Sequence, residues 1–540
     1  MDTNKSNQQL PINVVGSSKF GRYKKISDEL TVNMFISDGL LVNFAGYQRV
    51  LELLSNGRGR GAFVSNRGGF MLLVINANVY RISTTLGITL IGALSTAQGE
   101  VSIAENLNNQ VCIVDKTAAY IYNHKLPTNL TKCVDHSIGP DPSPIDTGAL
   151  IPNYVCFHNT YFLFGNGNTT GSGAAWYVYD YDTDTTIRYD SEFSIQTKPD
   201  YALAVIRMPG QSNNVLALGK TVSEIHTQVG GKENYRRNSS VNIDYGLINV
   251  DTLAASDTHV AWLGINESNA PAIMVFTGQS INRISTDGID NLLGNLVNPA
   301  LSTAIFFRQD GHLFYILTFY DERDNLSIMY DFNTEQFFNL TDGNLNYFPA
   351  RQVVYFNNDS YFVSLNNGSL YKIDSNITTY NENIPSATMP DDLDLIEEIQ
   401  RIRICEPVRM PDSSRFIANT FVFTIEQGYD DFVADFCEIV MITEDGVRIF
   451  TQDNLQVIPE DRDLNGCLPG YVSSRVDMAI SIDGGHTYSS YVARQLNSLG
   501  NRRNILNWQR MGASNDFRIK LRFWGFGRFV AGNGVLTIKQ

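Results

Sequence analysis

A hairpin-sized pattern repeats along the sequence from about residue 60 to residue 374 and restricts the fold more than any other feature. Each repeat has a short apolar run rich in β-branched and aromatic residues, a tight polar turn and a second apolar run. The turns contain Asn, Asp or Gly, which tolerate the positive φ of tight hairpin turns. The pattern predicts β-hairpins at residues 70–82, 110–122, 213–225, 270–284 and 361–373.

The repeats have a longer period that indicates how the hairpins are arranged. Aromatic or β-branched residues recur at equivalent places roughly every 35 to 55 residues, and residues 176–190 fill one wider gap. These positions are Tyr80, Tyr120, Ile225, Ile281, Phe337 and Tyr371. The period is that of the four-stranded blade of a β-propeller, and the length suits six or seven blades. A series of β-sandwiches is the alternative, but it would lack a blade-sized period.

Changes in composition divide the chain into four parts. Residues 1–55 are predicted to form an N-terminal arm with the first strands, and residues 56–378 the propeller. Residues 379–400 are acidic, contain two prolines and lack strand alternation, which is typical of a linker. Residues 401–540 alternate again and predict a sandwich-like domain. The predicted fold class is all-β, a β-propeller with an appended C-terminal antiparallel β domain.

One helix is predicted among these strands. Ser285 or Thr286 can cap it, and Ile289, Leu292 and Leu293 would share a face. Gly294 would end the turn.

The charge balance argues against a protein that binds nucleic acid tightly. Hydrophobic residues make up 43% of the chain and charged residues 18%, which excludes a disordered chain and a coiled coil. The net charge is −15, the opposite of what phosphate neutralisation requires. Arg58 and Arg60 could touch phosphate, but such arginines more often meet solvent or a carboxylate. With no apolar run of about 18 residues and no secretory signal pattern, we expect no stable membrane insertion.

No pattern of catalytic or metal-binding residues is found. The six cysteines have no CxxC spacing and the seven histidines are scattered, so buried free thiols are expected and neither a disulfide framework nor a zinc site. Phosphate-loop, HExxH, GxSxG and dinucleotide motifs are absent, although glycosidase carboxylates leave no local motif. We therefore predict no catalytic residue, no cofactor and no metal site.

Among the sequence patterns, a weak calcium-loop pattern is the one most similar to a metal site. Asp180, Asp182 and Asp184 have the alternating oxygen spacing of such a loop. Thr185 stands where the sharp-turn glycine belongs, and Ser191 where a bidentate Glu is needed. A polar hairpin is favoured over a calcium site.

A single Asp-box lies near the C-terminus. Ser481, Asp483, Gly485, Thr487 and Tyr488 match S-x-D-x-G-x-T-aromatic. The Asp would accept hydrogen bonds within the turn, the Gly would permit the backbone geometry, and the aromatic would pack behind the hairpin. Sialidases carry several boxes within a propeller. One box outside the predicted propeller predicts a structural role and weakens a sialidase interpretation.

Residues 244–293 contain a glycine-led segment, a strand ending in Trp-Leu-Gly, a strand before a Gly turn, and an Arg-Ile-Ser-Thr helix start, in this order. The residues concerned are Gly246, Trp262, Gly264, Gly278, Arg283, Ser285 and Thr286. This order resembles the central signature of the packaged-DNA stabilisation proteins of short-tailed phages (podoviruses), also called tail accessory factors.

The C-terminal region resembles the same family. The family's closing W-x-R-x-G strand pair corresponds to Trp508 and Gly512, and its D-G-G-T-W hairpin to the Asp-box. Tyr488 replaces the usual Trp and Met511 a usual Leu, both conservatively. Weaker similarity occurs near Asn33 and residue 61, so the resemblance covers most of the chain.

The resemblance implies a structural tail nozzle with no catalytic residues. Such a protein forms a homohexameric ring below the portal and adaptor, helps to retain packaged DNA and guides its ejection. Its implied partners are the portal-adaptor protein, the tail needle, and tailspike or tail fibre proteins, with double-stranded DNA passing without specific binding. It belongs to the virion tail and assembles in the host cytoplasm. The alternatives are another tail component that binds a receptor or glycan and, as an enzyme, a sialidase-like hydrolase.

Overall fold

The structure is a computed structural model that describes residues 7–21, 28–126, 129–133, 150–168, 173–181, 187–230, 234–385, 395–427, 474–496, 503–525 and 527–539. Nearly all regular structure in these ranges is β-strand, interrupted by one α-helix and one 3-10 helix. The all-β class is therefore confirmed.

Five strands precede the first complete blade. They are β1 (Asn7–Ile12), β2 (Leu30–Val32), β3 (Met34–Ser37), β4 (Leu40–Asn43) and β5 (Gly46–Leu54). Each of them joins a sheet that also contains strands from later parts of the chain.

Seven four-stranded antiparallel units then follow and form a propeller. Blade 1 has β6 (Gly59–Ser65), β7 (Phe70–Ile75), β8 (Asn78–Ile82) and β9 (Ile88–Ala93); blade 2 has β10 (Ser102–Glu105), β11 (Gln110–Val114), β12 (Ala119–Asn123) and β13 (Thr131–Lys132); blade 3 has β14 (Pro152–His158), β15 (Tyr161–Asn166), β16 (Ala175–Tyr181) and β17 (Ile187–Ser194); blade 4 has β18 (Ala204–Arg207), β19 (Asn214–Leu218), β20 (Ser223–Gln228) and β21 (Tyr235–Arg237).

The 3-10 helix (Val250–Thr252) precedes blade 5, which has β22 (Ala254–Ala255), β23 (Val260–Ile265), β24 (Pro271–Phe276) and β25 (Ile281–Arg283). Helix α1 (Asp287–Gly294) separates it from blade 6, which has β26 (Ser302–Gln309), β27 (His312–Phe319), β28 (Leu326–Asp331) and β29 (Gln336–Leu340). Blade 7 has β30 (Ala350–Phe356), β31 (Asp359–Ser364) and β32 (Gly368–Asp374), with β5 as its fourth strand. The blade number, predicted as six or seven, is seven.

The order of strands within a blade explains the hydrophobic pattern. The first strand of each blade lies towards the propeller axis, where it contacts the first strands of neighbouring blades. Middle strands pack between two adjacent blades, so they are apolar on both faces, and all six residues of β7 are buried. The last strand is outermost, and both residues of β13 are exposed. All five predicted hairpins are confirmed as adjacent strand pairs within blades.

An N-terminal strand closes the propeller. Strand β5 pairs antiparallel with β32, with Tyr47 opposite Ile373. The Tyr47 ring also stacks on that of Tyr380, with 4.3 Å between centroids. Because the two ends of the propeller sequence meet in one blade, opening the ring would break a strand pair. The segment 1–55 thus supplies a propeller strand.

Nine strands of the described residues follow the propeller, and the last seven of them build most of a second domain. They are β33 (Thr379–Asn381), β34 (Ile396–Glu398), β35 (Arg401–Ile404), β36 (Phe416–Gln427), β37 (Arg475–Ser481), β38 (Val492–Gln495), β39 (Arg503–Ser514), β40 (Arg518–Trp524) and β41 (Phe529–Lys539). One sheet has the order β3-β4-β41-β36-β39, with β1 on β41, and the other contains β35-β40-β37-β38. Apolar residues of both sheets share one core cluster.

The two domains share hydrogen-bonded sheets. Strand β2 pairs in parallel with β29 of blade 6 and antiparallel with β35, so one nine-stranded sheet runs from blade 6 into the C-terminal domain. Strand β33 pairs in parallel with β5, and β34 pairs with β33. The segment 379–400, predicted as a linker, therefore contributes two strands to the blade 7 sheet, while residues 386–394 lie outside the described residues.

A buried arginine fixes the N-terminal segment to the second domain. Arg403, on β35, donates hydrogen bonds of 3.0 Å to the carbonyl oxygens of Asn13, Val14 and Ser17. Its Nη2 also lies 2.6 Å from Glu29 Oε2. A buried guanidinium is tolerated only when its charge and its donors are satisfied, and these four partners meet that need.

The predicted helix is confirmed as α1. The Thr286 side chain accepts a hydrogen bond from the backbone N–H of Ile289 and caps the helix. Ile289 and Leu293 are buried, with Leu292 packed partly against the same core. Among the described residues, no helix is long and apolar enough to cross a membrane.

Candidate functional site

Three of the signature residues meet between blades 4 and 5. Trp262 on β23 is fully buried, and its Nε1 donates a 3.0 Å hydrogen bond to the carbonyl oxygen of Gly246. A Cβ on Gly246 would lie 2.2 Å from the carbonyl carbon of Lys220, in the β19–β20 turn of blade 4. A Cβ on Gly264 would lie 3.2 Å from the Gly246 carbonyl oxygen. The glycines therefore let the backbone approach closely around one indole.

A fourth signature residue links the same two blades. Gly278 adopts φ +88° in the β24–β25 turn, a conformation that favours glycine. Its carbonyl oxygen accepts a 3.1 Å hydrogen bond from Gln211 Nε2 of blade 4.

The Arg-Ile-Ser-Thr segment organises the start of α1. Arg283 pairs with Asp290 at 2.6 Å and with Asp287 at 3.2 Å. Ser285 Oγ accepts the backbone N–H of Ile273, and Thr286 caps the helix. These contacts position backbone and helix, so the signature in this blade consists of structural residues.

The two C-terminal signature positions lie in the second domain, apart from this group. The Trp508 ring is parallel to that of Phe423, with 5.9 Å between centroids, and its Nε1 donates to the Val492 carbonyl oxygen at 2.9 Å. Gly512 has φ +93° within β39. Trp508 thus joins two edge strands of the sandwich, β38 and β39.

The Asp-box forms the turn after β37. Asp483 Oδ1 accepts from the Ser481 hydroxyl at 2.7 Å and from the backbone N–H groups of His486 and Thr487 at 3.0 Å, while Oδ2 accepts from the Thr487 hydroxyl at 2.6 Å. The hydrogen bonds from Ser481 and Thr487 hold the pKa of Asp483 well below its usual range.

The glycine and the aromatic of the box complete this turn. Gly485 has φ +94°, and its N–H donates to Ser481 Oγ at 2.8 Å. The Tyr488 ring lies beneath Lys520, with 5.6 Å from Nζ to its centroid. All of these contacts lie within the second domain.

The family model described as bacteriophage P22 Gp10, beta-propeller, matches residues 8–378. The chain belongs to this phage stabilisation family. The predicted family is thereby confirmed, and the propeller falls within the matched residues. The blade 5 signature lies inside the Gp10 match, whereas Trp508, Gly512 and the Asp-box lie beyond it.

Solved structures resemble the Gp10-type propeller only distantly. Virginiamycin B lyase from Staphylococcus aureus is 12% identical with a TM-score of 0.41, over 61% of this chain and 99% of the lyase. The Pan2 WD40 domain of Neurospora crassa is 10% identical with a TM-score of 0.36, over 59% of this chain and 89% of the domain. No curated protein matches the chain. Similarity at this level has no functional implication.

A polar cavity of about 240 Å³ lies where the inner strands of several blades begin. Its polar lining comprises Ser102, Lys116, Asn153, Asp251, Arg351 and Gln352. These side chains come from blades 2, 3 and 7 and from the 3-10 helix before blade 5. Charged side chains therefore lie at the centre of the propeller, which is not packed by apolar side chains alone.

Ion pairs connect the charged groups around this cavity. Arg351 is 7% exposed, and its Nε donates to Glu100, which is fully buried. Arg58 bonds the other oxygen of Glu100 at 2.6 Å, and Lys116 Nζ lies 2.5 Å from Asp251 Oδ2. Although burial disfavours the charged form of Arg351, the Coulombic attraction of Glu100 and Asp251 raises its pKa.

Arg58 and Arg60, the two arginines considered for phosphate contact, both have partners within the protein. Arg58 pairs with the carboxylate of Glu100, which is one of the two environments expected for it. Arg60 is fully buried, and its Nη1 donates to the carbonyl oxygens of Asn76 at 2.8 Å and Thr96 at 2.6 Å. Sequence reasoning missed Glu100, Asp251 and Arg351, because the propeller brings them together from distant positions and no local spacing marks them.

The predicted calcium-loop and cysteine residues lie partly outside the described ranges. Asp180 accepts the backbone N–H of Tyr181, whereas Asp182 and Asp184 lie outside the described residues. Within the described ranges, no group of three or more His, Cys, Asp or Glu is placed to hold a metal. Cys112, Cys156 and Cys405 are buried free thiols, and burial raises the pKa of Cys156 to about 12. Cys437 and Cys467 are not among the described residues.

Proposed function

We propose that this protein is the tail nozzle of a short-tailed phage, a homohexameric ring below the portal and adaptor through which the genome passes. The match to the Gp10 family over residues 8–378 carries the proposal, since it gives the chain a role in the phage tail and in stabilising packaged DNA. The ring, the conduit and the part in genome ejection are our extension of that role.

The way the two domains are joined supports a mechanical role. A part that retains pressurised DNA must resist deformation, and rotation of one domain against the other would weaken it. Here the nine-stranded sheet, the blade 7 sheet and the Arg403 contacts all connect the domains. Head-to-tail contacts between such rigid subunits can close into a cyclic ring.

The charge of the chain supports sequence-independent passage of DNA. Six copies, each with a net charge of −15, would carry about 90 negative charges. A wall of like charge repels phosphate and prevents tight contacts, although screening over about 8 to 10 Å limits the repulsion to the region near the wall. We propose a lumen lined by acidic or polar groups and poor in Lys and Arg, without base-reading residues.

The partners in this proposal follow from its place in the tail. The ring would contact the portal-adaptor protein above, and the tail needle and tailspike or fibre proteins below or beside it. The protein would be assembled in the host cytoplasm and remain in the virion. A structural phage family also supports the prediction that the chain is not an enzyme.

Electron cryomicroscopy of purified virions or tails tests the assembly. Six copies in one ring below the adaptor are expected, and three or twelve copies would contradict the stoichiometry.

Duplex binding by the purified ring tests the conduit separately. No measurable binding is expected at about 0.15 M salt. Tight binding with a steep salt dependence, or a continuous basic stripe along the lumen, would contradict the conduit mechanism even in a six-membered ring.

A further inference from the structure

Lys116, Arg351 and Asp251 line the cavity at the propeller axis. Glu100 and Arg58 complete the charge cluster, because Glu100 pairs with both Arg351 and Arg58. Nearby Arg60 and Asp115 add one charge of each sign. Buried charges are costly unless opposite charges balance them. The cluster therefore has one positive charge in excess beside a polar cavity.

Two atoms on the wall of this cavity have unused hydrogen-bonding capacity. Arg351 donates from Nε to Glu100 and from Nη1 to Thr303 Oγ1 at 2.8 Å, but its Nη2 has no acceptor within the described part of the chain. Asp251 accepts from Lys116 through Oδ2, and its Oδ1 has no donor among those residues. The wall thus offers cationic donors and one carboxylate acceptor together.

We propose that this cavity binds inorganic phosphate. Its ionised oxygens would accept hydrogen bonds from Arg351 Nη2 and Lys116 Nζ, and its P–OH group would donate to Asp251 Oδ1. Charge-assisted bonds from a guanidinium to phosphate are among the stronger polar contacts in proteins. Sulfate carries no proton at neutral pH, so the same carboxylate would repel it. The cavity therefore distinguishes two ions of similar size and shape.

The surroundings suit a small ion that enters from solvent. Lys116 is 28% exposed and Arg58 is 33% exposed, so solvent reaches the edge of the cluster, while Glu100 and Arg351 form its buried floor. The neighbouring Coulombic attraction keeps Arg351 charged in spite of its burial. This site is independent of the proposed nozzle function. Whether or not the cavity binds phosphate, the prediction of ring assembly is unaffected.

Calorimetric titration of the purified full-length chain tests the proposal, with phosphate or sulfate added at neutral pH and constant ionic strength. Saturable phosphate binding, with sulfate at least about tenfold weaker, is expected because only phosphate can donate to Asp251. Thermal unfolding provides a second measurement, since a ligand that binds only the native state raises its stability with concentration. Equal effects of both ions, or no saturable binding, would overturn the proposal.

Two variants separate the proposed contacts from general charge effects. Lys116→Ala should weaken phosphate binding about tenfold. Lys198→Ala is the matched control, because Lys198 is 29% exposed and also pairs with an Asp, yet does not line the cavity, and it should bind phosphate as the parent does. Asp251→Asn should remove the preference for phosphate over sulfate. Unchanged binding by Lys116→Ala, or unchanged selectivity in Asp251→Asn, would reject the site.

Discussion

Trp262 Nε1 donates a 3.0 Å hydrogen bond to the carbonyl oxygen of Gly246, sixteen residues earlier in the chain. Both partners belong to the blade 5 signature, and both are buried. The bond fixes the connection from blade 4 against the second strand of blade 5. A residue pair that marks the family thus acts as a joint between blades.

Trp262→Phe should destabilise the protein by about 2 to 4 kcal/mol. The change removes part of a fully buried side chain and leaves the Gly246 carbonyl without its donor. Urea unfolding followed by circular dichroism measures the loss. Tyr355→Phe, at a side chain 65% exposed, is the control and should change stability little. A loss below about 1 kcal/mol would show that the indole bond is dispensable.

Gly246→Ala should also destabilise the protein, for a different reason. Its Cβ would lie 2.2 Å from the backbone of Lys220, and backbone atoms cannot move aside as a side chain can. Gly294→Ala is the matched control, because a Cβ there meets nothing within 4 Å at the end of α1. The melting temperature should fall for the first variant and should not fall for the second. Similar melting temperatures would refute the close-approach explanation.

Arg403→Met should lower the free energy of unfolding by about 3 to 5 kcal/mol, because Glu29 and three backbone carbonyl groups would lose a buried cationic donor. The loss should appear first as release of the N-terminal segment, which hydrogen exchange of residues 13–18 would detect. Arg323→Met, at a side chain 65% exposed, is the control. Unchanged exchange in that segment would contradict the role assigned to Arg403.

The local parts of this fold could be predicted, whereas the contacts between distant residues could not. The hairpins of blades 1 and 2 follow from short apolar runs and polar turns that lie within a few positions of each other. The pairing of Tyr47 with Ile373, and the bridge of β2 between β29 and β35, join short strands whose sequences carry no mark of their partners. The Asp-box could be recognised because its hydrogen bonds are local.

Glu398→Gln should raise stability at alkaline pH and leave it nearly unchanged in acid. Burial raises the pKa of Glu398 to about 7, so the folded protein binds this proton more tightly than the unfolded chain does. The stability that comes from this tighter proton binding is fully present below the unfolded pKa of about 4.3, and it is lost as the pH rises to about 7. The Gln variant should therefore gain up to about 3 kcal/mol relative to the parent at pH 8. Parallel pH profiles for the two proteins would exclude this assignment.

Asp483→Ala should lower the melting temperature of the C-terminal domain. The carboxylate accepts four hydrogen bonds from within its own turn, and their loss leaves the turn without the contacts that shape it. Asp412→Ala is a useful comparison, because Asp412 also lies in a turn, but among the described residues its carboxylate accepts hydrogen bonds from Ser414 and its own backbone. The first variant should melt at a lower temperature than the second and assemble less well, with no direct effect on any ligand. Unchanged melting together with loss of a specific glycan-binding activity would instead make this box a functional site.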